Sequence, residues 1–374
     1  VQEEKIKDVK TVVLIPALDP ERGPLLDLVS KLLSYDFLFV LLVDDGSSKE
    51  NKIIFEECKS LGCELVSYEE NRGKGYALRR GFSEILSKKE FYGEADVITA
   101  DSDGQHTVQD ILKVRAEMLA HRGAFVLGVR DFFSEESNKN VPPKSLKGNR
   151  FTSKLFKFMY GRWMADTQTG LRGIPYSMLD EATKIKGDRY QYEMKALIKA
   201  VRCDVEIIET PIEVIYVDNN KGTHFRPIRD SLKIIGVLIS QFLKYSLISL
   251  SSSILDIAAF TMLSAMLSSV IPEEHIIVAT FIARGISGAF NFLMNKRVVF
   301  SAGDQALLPG ILKYILTAVI IASLSALFVN VLFLILHWNK TLIKIIVDTL
   351  LFFVSYKLQQ AFVFNHHPRQ TQKR

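Results

Sequence analysis

Cysteine is scarce in this sequence. Its 374 residues include three, Cys58, Cys63 and Cys203, with no CxxC spacing and no paired histidine. That excludes a disulfide scaffold and a cysteine-based zinc site, and leaves ordinary reduced thiols. An excess of one charge is missing too: 47 Lys+Arg against 42 Asp+Glu give a net +5, too small and too dispersed for a nucleic-acid partner and better suited to an anionic membrane surface. The opening VQEEKIKDVK lacks the apolar core of a secretory signal, so the first half is expected to stay on the cytoplasmic side. A GxxxxGK[ST] phosphate loop is absent as well. Charge itself nearly vanishes from three stretches: Asp256 is the single ionised group in 245–270, Arg284 in 276–294, and 314–336 has none. About 20 apolar residues at 1.5 Å each cross a hydrocarbon core of roughly 30 Å. With 48% hydrophobic residues and a mean hydropathy of +0.14 beside 24% charged ones, the averages hide a division between a charged first part and an apolar second.

The first part alternates short β-rich runs with helical spacing. TVVLIP (11–16), FVLLVDD (39–45), ADVITAD (95–101) and AFVLGVR (124–130) read as buried strands, and 49–61, 74–89 and 107–122 as helices between them. Such βαβ alternation predicts an α/β domain with a mostly parallel sheet covered on both faces, its ligands bound beyond the carboxyl ends of the strands. The polar residues fall at those ends. From about residue 225 a basic, then apolar segment (225–242) reads as an interfacial helix, followed by spans at about 243–268, 276–295, 312–336 and 342–364. The link 269–275 is acidic, whereas Lys296, Arg297, Lys313 and the basic tail (367–374) mark the other side. Both termini are therefore expected in the cytoplasm. FLKYSL (242–247) resembles ILKYIL (311–316), and NFLMNKRVVF (291–300) resembles SYKLQQAFVF (355–364), so the membrane part reads as two tandem hairpins.

The strongest chemical signal is ADVITADSDGQH (95–106). A strand delivers Asp101 and Asp103 on a Ser/Gly turn with Gln105 close behind, an oxygen donor set suited to a hard divalent cation that shares substrate phosphates. Taken alone, DxD reads as easily as a solvated turn. LLVDDGSS (41–48) places Asp44 and Asp45 at another strand end, where a carboxylate can accept from base or ribose, or simply close a turn. In NRGKGYALRRG (71–81) the glycines permit close backbone approach of a ligand, and Lys74 could meet a phosphate.

VLIPALDPERG, VDDGSS, NRGKG, DSDGQ, GVR, DTQTGLRGI and YEM, in that order and spacing, resemble family-2 glycosyltransferases of the GT-A fold, in particular polyprenyl-phosphate glycosyltransferases such as dolichol-phosphate mannosyltransferase and GtrB. The resemblance covers about 1–230. Arg284, Asn291, Phe292, Asn295, Lys296 and Phe300 resemble the pattern of the GtrA-like four-helix domain. It implies a cytoplasmic GT-A domain over 1–224, a membrane domain over 243–366, and a multi-pass cell-membrane protein. Pro16, Leu18, Glu21, Asp44, Lys74, Asp101, Ser102, Asp103, Asp166, Glu193 and His224 would then bind the nucleotide-sugar. Asp101, Asp103 and Gln105 would hold Mg²⁺ or Mn²⁺, with Asp101, Asp103 and Arg130 as catalytic residues. The family's usual PAYNE reads PALDPE here: Leu18 stands for the aromatic and Pro20 at the acidic position, with Glu21 one later.

An acceptor phosphate is already anionic and can attack an anomeric carbon without a general base. Placing it about 4 Å from a diphosphate costs roughly 4 kcal/mol at an effective dielectric of 20, so cations must offset it. Arg130 ends a strand, and GNRFTSKLFKFMYGRWMA (148–165) reads as an amphipathic helix with Arg150, Lys154 and Lys157 beside Phe151, Leu155, Phe158 and Met159. Arg130, Arg150, Ser153 and Lys154 are the candidates for the lipid phosphate. The expected reaction is inverting transfer of one sugar, UDP-glucose first among the donors, to polyprenyl (undecaprenyl) phosphate for cell-envelope glycan modification, and the reading leaves room for a homo-oligomer. Two rivals remain. A processive polysaccharide synthase is disfavoured because Arg162-Trp163 lacks the Gln of QxxRW and precedes Glu193, and a lipid-linked sugar flippase would place the activity in the bundle around Arg284. Within the spans, Asp256, Arg284 and Asp348 are expected to find partners.

Overall fold

The computed structural model describes residues 10–133, 141–213, 227–300, 302 and 306–364. The chain divides into two compact units, Val1–Leu238 and Ile239–Arg374.

In the first unit the strands are β1 (Lys10–Ala17), β2 (Val40–Asp44), β3 (Glu64–Ser67), β4 (Ala95–Thr99), β5 (Phe125–Val129), β6 (Arg172–Ile174) and β7 (Ile207–Pro211), in the sheet order β3-β2-β1-β4-β6-β5-β7. β1 runs parallel to both β2 and β4, while β6 lies antiparallel between β4 and β5. The helices are α1 (Arg22–Leu32), α2 (Lys52–Ser60), α3 (Lys74–Ser87), α4 (Lys89–Tyr92), α5 (Val108–Ala120), α6 (Pro143–Tyr160), α7 (Tyr176–Lys184) and α8 (Gln191–Arg202). Alternate β1 side chains enter different cores: Val12 and Leu14 pack with the α3 and α8 residues, Val13 and Ile15 with those of α1, α2 and α5. That two-sided burial explains why the strands read as continuous apolar runs.

The chain leaves β1 for β2 and β3 on one side and returns to β4 on the other. The crevice at this reversal lies beyond the carboxyl ends of β1 and β4, where such sheets bind ligands. The β4 end carries Asp101 and Asp103. The four strands read from the sequence are present. β3, β6 and β7 were not among them, because their runs are short and only partly apolar.

Helix α6 begins at Pro143, five residues before the expected start, with proline in its first turn, and stops at Gly161, which adopts φ +77°. Residues 162–165 are therefore not helical. One helix, α9 (Pro227–Leu267), runs from the segment read as interfacial into the first expected span.

In the second unit α10 (His275–Met294) ends in a π-helical turn (Asn295–Val299), α11 (Leu307–Leu336) follows, and α12 (Lys340–Leu358) ends in a second π-helical turn (Gln359–Val363). The two π turns fall at matching places in the repeats read from the sequence. The matching tyrosines bond across them: Tyr314 donates to Asn291 (3.0 Å) and Tyr245 accepts from Gln359 (3.0 Å), while Asn295 donates to both Asn291 and Gln359 (2.8 and 3.3 Å). Among the described residues, Arg229–Leu267, His275–Val299 and Leu307–Leu336 are long and apolar enough to cross a membrane. α12, carrying Lys344 and Asp348, falls short of that measure. Arg284 pairs with Asp256 at 3.4 Å, the neutralising arrangement expected, and Asp348 pairs with Lys344 at 2.8 Å and accepts from Ser325 at 2.5 Å.

Candidate active site

The segments after β1, β2, β3, β4 and β5, with the one leading into β6, build the site. After β1, Asp19 adopts φ +43°. Its amide donates to Ser47 Oγ (2.9 Å), and its carboxylate accepts from Ser48 N–H (2.8 Å) and Asn51 Nδ2 (2.9 Å). This lock between the β1 and β2 loops is the use made of the unusual PALDPE segment. Pro16 is buried at the end of β1, Leu18 half-buried and Glu21 exposed at the start of α1.

Asp44 is buried, its carboxylate accepting from Ser47 N–H (2.8 Å) and the Ser67 hydroxyl (2.7 Å). Asp45 is spent on structure. It accepts from Tyr68 Oη (2.7 Å), Arg72 N–H (2.9 Å) and Gly73 N–H (2.8 Å), and so fixes the turn that launches α3. Burial, partly opposed by these donors, raises its pKa.

The glycines of NRGKG admit protein backbone, which corrects the reading that they admit a ligand. A Cβ on Gly73 would lie 2.3 Å from Asp188 O, and one on Gly75 would lie 2.5 Å from both Gly187 O and Tyr192 Cβ. Gly75 N–H donates to Asp188 O at 2.9 Å. The 187–189 segment thus caps α3 and holds Lys74 in place. Gly75→Ala should destabilise the unit by about 1–3 kcal/mol through overpacking. Chemical denaturation would check this, and an unchanged midpoint would refute the close contact.

Lys74 Nζ lies 2.5 Å from Asp101 Oδ1 and 3.0 Å from Glu193 Oε1. Burial alone would lower the Lys74 pKa, but the two carboxylates outweigh it and keep the ammonium charged. Burial would likewise raise that of Asp101, and Lys74 reverses the effect. Asp103, without that ion pair, is pushed up to about 6 by burial and by the charge of Asp101. Its Oδ1 accepts from Gln105 N–H at 3.1 Å. His106, one residue past the expected motif, accepts the Asp101 N–H on Nδ1 (3.0 Å), and burial holds its pKa down at about 4, so the ring is a neutral acceptor that shapes the turn.

The DTQTGLRGI segment sets the opposite wall. Asp166, expected among the nucleotide-sugar residues, is fully buried; it accepts from Gln168 N–H at 2.9 Å, capping a turn, and from Arg130 Nε at 2.7 Å, so it orients the guanidinium. Thr99 Oγ1 donates to Gly170 O at 2.8 Å, pinning Gly170 against the Asp101 carboxylate. Fully buried Arg172 donates to the carbonyl oxygens of Thr169 (2.8 Å), Glu193 (2.6 Å) and Thr167 (3.3 Å). Neither Gly170 nor Arg172 stood among the expected site residues, because their roles depend on contacts distant in sequence.

On α6, Arg150 Nε donates to Phe132 O at 2.6 Å, and the Arg130 guanidinium lies over the Phe132 ring at 5.0 Å, so the two arginines flank one segment. Phe151, Lys154, Lys157 and Phe158 are exposed, whereas Met159 is buried. Ser153 corrects the expectation of a phosphate ligand: it is fully buried and its hydroxyl donates to Ala165 O at 3.1 Å, docking the helix on the DTQTG segment. Arg162 donates to Ile207 O at 3.0 Å, a structural tie that gives no support to a synthase motif. Tyr176 and Tyr190 are half-buried, and His224 lies outside the described residues.

Among the described residues no three His, Cys, Asp or Glu side chains form a metal cage. The donor set of two carboxylates and an amide on one turn nevertheless fits a hard cation completed by substrate phosphates, and the crowding that raises Asp103 is what such a cation would relieve.

Comparison with known proteins recognises two domains in the chain. Residues 13–182 match the family described as glycosyl transferase family 2, and residues 244–364 match the GtrA/DPMS transmembrane domain. The chain is 28% identical over 230 residues to UDP-N-acetylglucosamine–dolichyl-phosphate N-acetylglucosaminyltransferase of Methanococcus voltae, covering 57% of this chain and 89% of that protein. It is 27% identical over 202 residues to dolichyl-phosphate beta-glucosyltransferase of Saccharomyces cerevisiae, covering 49% and 58%. A solved glucosyl-3-phosphoglycerate synthase from Mycobacterium tuberculosis superposes with a TM-score of 0.46 at 18% identity, over 63% of this chain and 80% of that one. Residues 13–182, on a mostly parallel sheet, thus form a family-2 glycosyltransferase domain, and residues 244–364, with their long apolar helices, a GtrA/DPMS transmembrane domain.

Proposed function

We propose that the chain transfers a single sugar from a nucleotide-sugar, UDP-glucose first among the candidates, to the phosphate of a polyprenol at the cytoplasmic membrane face, with inversion. The observation that carries this reading is the pairing of opposite charges at the sheet reversal, Lys74 with Asp101 and Glu193, and Arg130 with Asp166. The first group suits a diphosphate and its cation. The second presents a guanidinium, oriented by a buried carboxylate, to an incoming phosphate.

Asp101, Asp103 and Gln105 would hold Mg²⁺ or Mn²⁺, which when bound neutralises charge on the departing diphosphate. Arg130, with Arg150 and Lys154 nearby on the α6 side, would offset repulsion between acceptor and donor phosphates. The acceptor oxygen attacks the anomeric carbon from the face opposite the leaving group, and no side-chain base is required because the phosphate is already ionised. Exposed Phe151 and Phe158 beside Lys154 and Lys157 form a stripe that suits a lipid surface. The two named relatives act on dolichyl phosphate, one with UDP-N-acetylglucosamine and one as a glucosyltransferase, which supports a polyprenyl phosphate acceptor and makes both sugars necessary tests.

The test is nucleoside-diphosphate release by detergent-purified protein with undecaprenyl or dolichyl phosphate, Mg²⁺ or Mn²⁺, and UDP-glucose, UDP-N-acetylglucosamine, UDP-galactose or GDP-mannose. Release with one donor should require both lipid phosphate and metal, and Asp103→Ala should abolish it. Absence of lipid-dependent release with every donor would overturn the assignment.

A further inference from the structure

The Asp101 carboxylate sits between Lys74 and Gly170. Oδ1 meets Lys74 Nζ at 2.5 Å. Oδ2 fills the space beside Gly170, where an ideal Cβ would come within 2.3 Å of it. Gly170 is in turn fixed by the Thr99 hydroxyl through its carbonyl, so that side of the carboxylate is closed by backbone. Oδ1 is held by a long, rotatable lysine. Lys74 has a second anchor in Glu193 at 3.0 Å, which gives the ammonium somewhere to remain when it leaves Asp101.

We propose that Lys74 is an exchangeable counter-ion which a divalent cation must displace from Asp101 Oδ1, so that the cation and the lysine compete for one carboxylate oxygen. The inference rests on the assignment of Asp101 and Asp103 as cation ligands. A divalent cation and an ammonium in contact with the same oxygen repel each other strongly in a partly desolvated site, which prevents both from holding it. The metal alone therefore binds weakly. A donor diphosphate offers the ammonium a new anion and removes the competitor, which couples entry of the metal to entry of the donor by ordinary linkage.

The experiment titrates Mn²⁺ alone into the detergent-purified full chain, reading free Mn²⁺ by electron paramagnetic resonance, with no donor or acceptor present. Asp103→Ala supplies the baseline for the site. Lys74→Met should bind Mn²⁺ at least tenfold more tightly than the unaltered chain, and its thermal midpoint should rise more when Mn²⁺ is added, because the metal replaces the lost counter-ion. Lys74→Gln, which keeps a hydrogen-bond donor beside Asp101 but no charge, should show the same tightening and serves if the methionine variant does not fold. Equal or weaker Mn²⁺ binding in the Lys74 variants, with a site still lost in Asp103→Ala, would overturn the competition while leaving the metal site standing. Absence of Mn²⁺ binding in every form would overturn both.

Discussion

Gly170→Ala should lower sugar transfer by about a hundredfold or more while leaving the chain folded. Position 170 carries no functional group, so the effect is geometric. An added methyl would sit 2.3 Å from Asp101 Oδ2 and 2.7 Å from its Cγ, far inside contact distance. Gly170 itself cannot retreat easily, because Thr99 holds its carbonyl on β4 and Arg172 holds the carbonyls of Thr167 and Thr169 just before it. The carboxylate must turn, and Lys74 and the cation ligands turn with it. Misplacement by about 1 Å at a reacting centre costs on the order of 10²-fold. The measurement is lipid-dependent nucleoside-diphosphate release alongside a thermal melt. Activity within twofold of the unaltered chain would show that the position of Asp101 is not critical and would remove it from the catalytic set.

This expectation also marks where the sequence was informative. Strands buried on both faces announce themselves as apolar runs, and the acids at their ends follow at once, as Asp44 and Asp101 do. β6 did not, since three residues with a glycine at their centre and a proline after them leave no periodicity to read. Of the neighbouring acids in VDDGSS, Asp45 takes the turn-closing role read for it, but at the start of α3, where three donors commit it, and not before residues 49–61. The NRGKG glycines signalled close approach correctly but not what approaches, because Gly187 and Asp188 lie more than a hundred residues away in the chain. Ser153 failed for a related reason. Its helix was recognised as amphipathic, but the helix starts at Pro143 and its inner face is set by the DTQTG segment. In the second unit, duplication was legible as sequence, whereas the two π turns and the polar bonds that join the repeats emerge only when four helices are assembled.

Arg172→Met carries the largest expected effect on stability. The side chain is fully buried, and its guanidinium satisfies three backbone carbonyls, two in the segment before β6 and one in α8. Methionine fills much of the volume but donates nothing, leaving each carbonyl with an unmet acceptor at about 1–2 kcal/mol, roughly 3–6 kcal/mol together. For a unit of this size that corresponds to a fall in thermal midpoint of about 10 °C or more. Lysine is not a remedy, because a point charge cannot reach three carbonyls that a planar fork reaches together. Arg172→Lys should therefore recover less than half of the loss. The consequences reach the chemistry by position alone. The same three bonds hold Asp166 under Arg130, Gly170 against Asp101, and the start of α8 where Glu193 faces Lys74. A folded fraction of Arg172→Met, isolated at low temperature, should bind donor and acceptor more weakly and turn over more slowly in parallel, since both walls of the site shift. Unchanged melting in Arg172→Met would mean that the segment is held by something else, and full recovery by lysine would mean that charge, and not the fork of donors, is what the position requires.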